Sequence, residues 1–147
     1  MKKFALISCT LGLLISHAVQ ANEAPLQGTL KKIADSGSIT LGYRDASVPF
    51  SYVGDNSGKP MGYSVELANK IVERIQQQVG SKPLKVKYNL VTSQTRIPLV
   101  QNGTVDLECG STGVTAERQK QEAFSYGFIY VKGQLLTAKD SGIKGFD

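Results

Sequence analysis

The chain has 147 residues, 41% of them hydrophobic and 20% charged, proportions of one folded domain that exclude a disordered or fibrous chain. Its net charge is +5, but Lys2 and Lys3 supply two of those charges at the extreme N-terminus. The fifteen basic and twelve acidic residues that remain do not single out a polyanion as partner.

Residues 1–21 read as an export signal. Lys2 and Lys3 form its charged start, residues 4–16 an apolar stretch too short to span a bilayer, and Val19-Gln20-Ala21 a small-residue cleavage site before Asn22. A lipoprotein reading of Leu6-Ile7-Ser8-Cys9 competes, but it leaves almost no apolar core before the cysteine. Cleavage at Asn22 removes Cys9 and the single histidine, His17. The mature chain then holds one cysteine, Cys109, and no histidine, so His-based triads, His metal sites and CxxC redox chemistry are excluded within it. Cys109 either packs as a small hydrophobe or pairs with a thiol outside this chain.

Residues 22–28 form a polar lead. The spacing of apolar residues predicts a helix over 29–36, capped by Thr29 and stopped by Gly37. Residues 38–43 are β-rich and predict the first strand, followed by a loop over 44–49. Residues 50–53 add a short extended piece before the Asn, Gly and Pro turn of 55–60. Val65, Ala68, Ile71, Val72, Ile75 and Val79 recur at helical spacing and predict the longest helix, 64–79, with Glu66 placed to pair Lys70 and Gly80 as its stop. Residues 84–91 alternate Leu84, Val86, Tyr88 and Leu90 with Lys85, Lys87 and Asn89, which predicts an edge strand with one wet face. Thr92 or Ser93 caps a helix reaching Asn102, shortened or kinked by Pro98 and stopped by Gly103. Residues 105–109 form a third strand, 110–113 a small-residue loop, and Thr115 caps a helix carrying Glu117, Arg118 and Gln121. Residues 124–138 are aromatic, β-branched and extended.

Strands alternating with helices predict an α/β fold with a mostly parallel sheet, whose ligands bind beyond the carboxyl ends of the strands. The loops at those ends begin at Arg44, Thr92 and Gly110. The mature chain has four arginines against eleven lysines, and Arg44, Arg96 and Arg118 lie in or just after these loops while Arg74 lies on the long helix. Guanidinium is a planar fork for carboxylates and phosphates. Ser47, Thr92, Ser93, Ser111 and Thr112 stand beside them, near helix starts that favour anions. The combination points to a pocket for a small anion with more than one charged end. Surface ion pairs of these arginines with Asp45 or Glu117, and hydroxyls serving only as caps, are the plainer reading of the same residues. Asn102-Gly103-Thr104 matches a glycosylation acceptor but is explained by a helix stop before a strand. Lys82, Lys85 and Lys87 form a solvated strand face, and no aromatics interleave as nucleic-acid binding would require.

Residues 41–52, 62–67, 93–103, 108–112 and 117–120, read as LGYRDASVPFSY, GYSVEL, SQTRIPLVQNG, ECGST and ERQK, resemble the glutamate/aspartate branch of family 3 of the bacterial extracellular solute-binding proteins. These are the ligand-capturing components of amino-acid ABC transporters. The resemblance spans nearly the whole mature chain. It implies lobes of the type II periplasmic-binding-protein kind, joined by crossover strands and closing on L-glutamate or L-aspartate in the periplasm. It also implies membrane permease subunits as partners, and neither cofactor, metal nor nucleic acid. By resemblance, Arg44, Ser93 and Arg96 hold the side-chain carboxylate, Arg118 the α-carboxylate and Ser111 the α-ammonium, with Thr112 in the same binding loop. Gly113 stands where close relatives carry a threonine, and Ser64 where the general family carries an acid.

The family has a second lobe, so the resemblance implies that residues 29–123 form the first lobe and 124–147 a crossover strand leading to the next. A periplasmic dehydratase acting on cyclohexadienyl acids shares the fold class, and that reading needs Glu108 as general acid. A non-binding remnant is the third reading.

Overall fold

A computed structural model describes residues 25–54, 58–80 and 83–146. The expected export signal, Cys9, His17, Lys82 and the first half of the 55–60 turn, residues 55–57, lie outside the described residues. The first helix, α1 (Gly28–Ser36), begins after Gln27, so Thr29 lies inside it and is not its cap. Gly37 ends it in the left-handed conformation at φ 61°, its N–H bonded to the Ile33 carbonyl, a backbone shape that glycine adopts without strain.

Strand β1 (Ser38–Tyr43) follows as the residue pattern predicts. Two elements come next from what the sequence reads as loop and extended piece: β2 (Ala46–Ser47) pairs antiparallel with β3 (Ser51–Tyr52). Helix α2 (Tyr63–Val79) starts without a side-chain cap. The N–H groups of Tyr63 and Ser64 bond instead to the carbonyls of Pro49 and Phe50, at 3.0 and 2.8 Å. Gly62 permits this approach, since a Cβ there would lie 2.6 Å from the Phe50 carbonyl oxygen and its φ is +115°. Lys70 pairs with Glu73 at 2.9 Å rather than with the expected Glu66.

Strand β4 (Lys85–Leu90) lies at the edge of a sheet of order β4-β1-β5. Its alternation only half succeeds: Val86 packs against the core, whereas Tyr88 and Leu90 are exposed. Alternation decides which way a side chain points, not whether anything covers it. The Tyr88 ring meets Tyr43 edge to face, and its hydroxyl reaches Asn69 on α2. Helix α3 (Arg96–Gln101) starts later than expected because residues 93–95 form a turn. The Thr92 hydroxyl accepts from the N–H groups of Gln94 and Thr95 in that turn. Pro98 falls in the first turn of α3, where its missing N–H has no helical partner to lose, so it does not kink the helix.

Strand β5 is confined to Leu107–Glu108, shorter than the sequence implies. Thr115 caps α4 (Ala116–Gln119) as expected, its hydroxyl accepting from the Arg118 N–H at 3.2 Å. Residues 124–138, expected to be a strand, form none: no neighbouring strand supplies the ladder, and Tyr126, Tyr130, Val131 and Leu136 are exposed.

β1 pairs parallel with both neighbours, Ser38 opposite Lys85 and Gly42 opposite Glu108. Its residues Ile39 and Leu41 are buried with Ile33 of α1 and Ala68 and Val72 of α2, which form the core together with Cys109. Lys32 and Asp106 bind the start of this layer to its end. The Lys32 ammonium lies 2.7 Å from one Asp106 oxygen, and the Thr40 N–H donates to the other at 2.8 Å.

Candidate functional site

All three strands run the same way, so Arg44 after β1, Ser93 after β4 and Ser111 and Thr112 after β5 emerge at one edge of the sheet. Arg44 is anchored through its own backbone. The Ser51 hydroxyl, fully buried, accepts from the Arg44 N–H at 2.8 Å and donates to its carbonyl at 3.2 Å. The hairpin of β2 and β3 exists in part to bring Ser51 there, a role that a lone serine in an extended stretch does not advertise.

Ser93 joins two of the arginines. Its hydroxyl oxygen accepts from Arg44 Nη1 at 3.1 Å and from Arg96 Nη2 at 3.0 Å. Arg96 is buried, 5% exposed. Its Nη1 donates to the Thr112 hydroxyl and its Nε to the Thr92 carbonyl at 3.4 Å. The Thr112 hydroxyl in turn donates to Glu108 Oε2 at 2.7 Å. Ser111 donates to Ser47 at 3.4 Å. Arg118 lies across the loop, with Nη1 donating to the Gly113 carbonyl at 2.8 Å. The structure therefore links Arg44, Ser93, Arg96 and Thr112 in one network, with Ser111 on the loop of Thr112 and Arg118 on α4 bonded back to that loop at Gly113. Arg74 stands apart, bonded to Gln77 on α2.

The charges in this network are not paired. Among the described residues the ion pairs are those of Lys31, Lys32, Lys70 and Lys120, and Glu117 is engaged by Lys120. Neither Asp45 nor Glu117 neutralises a site arginine, which removes the surface-pair reading. Burial pulls the Arg96 guanidinium below its ordinary value, Glu108 opposes that pull, and the like charges of Arg44 and Arg118 add to it. Arg44 Nε is buried without a hydrogen-bond partner. A cluster of guanidiniums that repel one another, with an unused donor on Arg44, has the chemistry to take an anion.

A cavity of about 640 Å³ adjoins the network. Arg96, Ser111 and Thr112 reach its wall, but Leu107, Val114 and Phe128 make much of it apolar, and Arg44, Ser93 and Arg118 lie outside its lining. The guanidinium network, not the cavity's centre, offers donors to an anionic group, because an apolar wall gives an anion no hydrogen bonds. Among the described residues no group of three or more His, Cys, Asp or Glu side chains could hold a metal, and no helix is long and apolar enough to cross a membrane.

Comparison with known proteins bears on this arrangement. The profile of the bacterial extracellular solute-binding proteins, family 3, matches residues 39–144. The L-glutamate/L-aspartate-binding protein of Pseudomonas aeruginosa is 59% identical over 134 residues, covering 91% of this chain and 44% of its own length. Among solved structures, the solute receptor for L-cysteine of Neisseria gonorrhoeae aligns with a TM-score of 0.55 and 31% identity over 64% of this chain and 36% of that one. The arginine-bound form of domain 1 from TmArgBP aligns with a TM-score of 0.52 and 25% identity, over 62% of this chain and 64% of that one. The chain spans about half the length of the curated relatives it matches, 44% to 48%.

Proposed function

Because the chain belongs to family 3 of the bacterial extracellular solute-binding proteins, with the fold of a type II periplasmic-binding-protein lobe, we propose that it captures the acidic amino acids L-glutamate and L-aspartate. It acts in the periplasm as the substrate-binding component of an amino-acid ABC transporter and delivers its ligand to the membrane permease. Residues 1–21 direct its export and are cleaved before Asn22. The protein binds and releases; it is not an enzyme.

The observation that carries this reading is the convergence of Arg44, Arg96 and Arg118 at one sheet edge with no carboxylate in direct ion-pair contact with any of them, Glu108 reaching Arg96 only through the Thr112 hydroxyl. One α-carboxylate needs one guanidinium; three call for a ligand with two carboxylates. Arg44, Ser93 and Arg96 take the side-chain carboxylate, Arg118 the α-carboxylate and Ser111 the α-ammonium. The identity to the Pseudomonas protein, whose name states the same ligands, supports the assignment. A dehydratase would need Glu108 as a proton donor, and Glu108 has one oxygen engaged by Thr112 and the other buried. Titration calorimetry with L-glutamate, L-aspartate, L-glutamine and L-arginine tests the proposal. Binding confined to the two acidic ligands is expected, and glutamine binding as tightly as glutamate would overturn it.

A further inference from the structure

Glu108 brings a negative charge into a site built to hold anions, and the chain makes deliberate room for it. It stands opposite Gly42 in the sheet register. A Cβ on Gly42 would lie 3.2 Å from Glu108 Cγ, and one on Gly110 would lie 2.5 Å from Glu108 Oε1. Two glycines thus enclose the side chain, leaving Oε1 buried without a hydrogen-bond partner. The other oxygen, Oε2, accepts a hydrogen bond from the Thr112 hydroxyl at 2.7 Å.

A hydroxyl has one proton and two lone pairs. With its proton committed to Glu108, the Thr112 oxygen presents lone pairs to Arg96 Nη1, which donates to it. Without the carboxylate the hydroxyl is free to rotate, and the guanidinium loses the acceptor on that side. Ser93 and the Thr92 carbonyl hold its remaining nitrogens, so the orientation of the guanidinium plane depends on both ends of the chain of bonds.

We propose that Glu108 is a positioning residue that, through the Thr112 hydroxyl, locks the Arg96 guanidinium in the orientation that receives the ligand's carboxylate. The assignment rests on the acidic-ligand reading above. The buried carboxylate also offsets part of the repulsion among the three arginines, so the cradle stays ordered before the ligand arrives.

The test compares Glu108→Gln, Glu108→Ala, Thr112→Val and the double variant Glu108→Ala/Thr112→Val by calorimetry with L-glutamate. Side-chain ¹⁵N NMR of Arg96 without ligand is recorded in parallel. Glu108→Ala is expected to weaken L-glutamate binding about tenfold or more, the scale of a charge-assisted hydrogen bond. Glu108→Gln recovers most of that loss, because its amide oxygen still accepts the Thr112 proton. The double variant binds no more weakly than Thr112→Val alone, since both changes cut the same chain of bonds. Arg96 resonances resolved by restricted rotation in the unchanged protein should merge in Glu108→Ala and in Thr112→Val.

Additive losses in the double variant, or Arg96 resonances that stay the same, would overturn the proposal. Should Glu108→Ala fail to fold, Thr112→Val and Glu108→Gln decide it by the same spectra. Should the unchanged protein ignore L-glutamate, the acidic-ligand reading fails while the spectra still judge the positioning role.

Discussion

The Ser64 hydroxyl donates to the Gly110 carbonyl at 2.8 Å, and both residues are buried. The first turn of α2 is thereby fastened to the loop that carries Ser111 and Thr112. A carboxylate at position 64 would face a carbonyl oxygen with no proton to share. The hydroxyl supplies that proton.

Ser64→Ala should cost about 1–3 kcal/mol of stability, because it leaves the buried Gly110 carbonyl without its partner. Urea unfolding would register the loss. Ligand affinity should fall as well, since the 110–113 loop loses its tether to α2.

Arg96→Ala should weaken L-glutamate binding by about 2–5 kcal/mol, the range for removing one side of a buried charge pair. Arg74→Ala, on the far part of α2 and bonded only to Gln77, should leave affinity within about 0.5 kcal/mol of the original. Calorimetry on the two variants separates a charge that binds from a charge that solubilises.

Asp106→Ala removes a carboxylate whose side chain is 3% exposed while its partner Lys32 is 49% exposed. Lys32 can return to water, so the loss should fall short of the full cost of breaking a buried pair. The Thr40 N–H, however, is left without its acceptor. A destabilisation of about 1–3 kcal/mol is expected, read from thermal or urea unfolding.

Burial, with a smaller push from Glu108, raises the Cys109 thiol from 9.0 to about 11. The folded state therefore favours the neutral thiol more than the unfolded chain does. Its contribution to stability is complete below pH 9.0, declines above it, and is lost as pH rises through about 11. The stability difference between the protein and Cys109→Ala, measured across that range, should shrink with rising pH. Thiol labelling of the native protein should be slow at neutral pH.

How far residues foretell structure depends here on the range of the force involved. Gly37, the span 38–43, the Thr115 cap and the body of α2 were legible because a helix stop, a β-rich run and an apolar stripe are local signals. The arginine cluster was legible too, through chain position: parallel strands send their exits to one edge. What escaped is tertiary. Nothing near Asp106 announces Lys32, and nothing near Tyr88 announces that its hydroxyl meets Asn69 of α2. The Glu108–Thr112–Arg96 chain had one available signal, an acid near the end of a strand whose loop begins with glycine, but its meaning needs Gly42 from a different strand. Residues 124–138 carry the composition of a strand, and composition alone cannot supply a partner to pair with.

The parallel register also decides when in folding the site comes into being. Ser38 meets Lys85, and Gly42 meets Glu108, so each pairing closes a long loop before any ligand group is in place. Such contacts form slowly, and no partly folded chain owns the complete guanidinium cradle. On the proposed function an acidic amino acid would bind the finished sheet alone, and at a hundredfold excess over its dissociation constant it would add about 2.7 kcal/mol to the native state. Ligand in the refolding buffer should slow unfolding and leave the early folding rate untouched, making the nutrient itself a gauge of whether the last strand has joined.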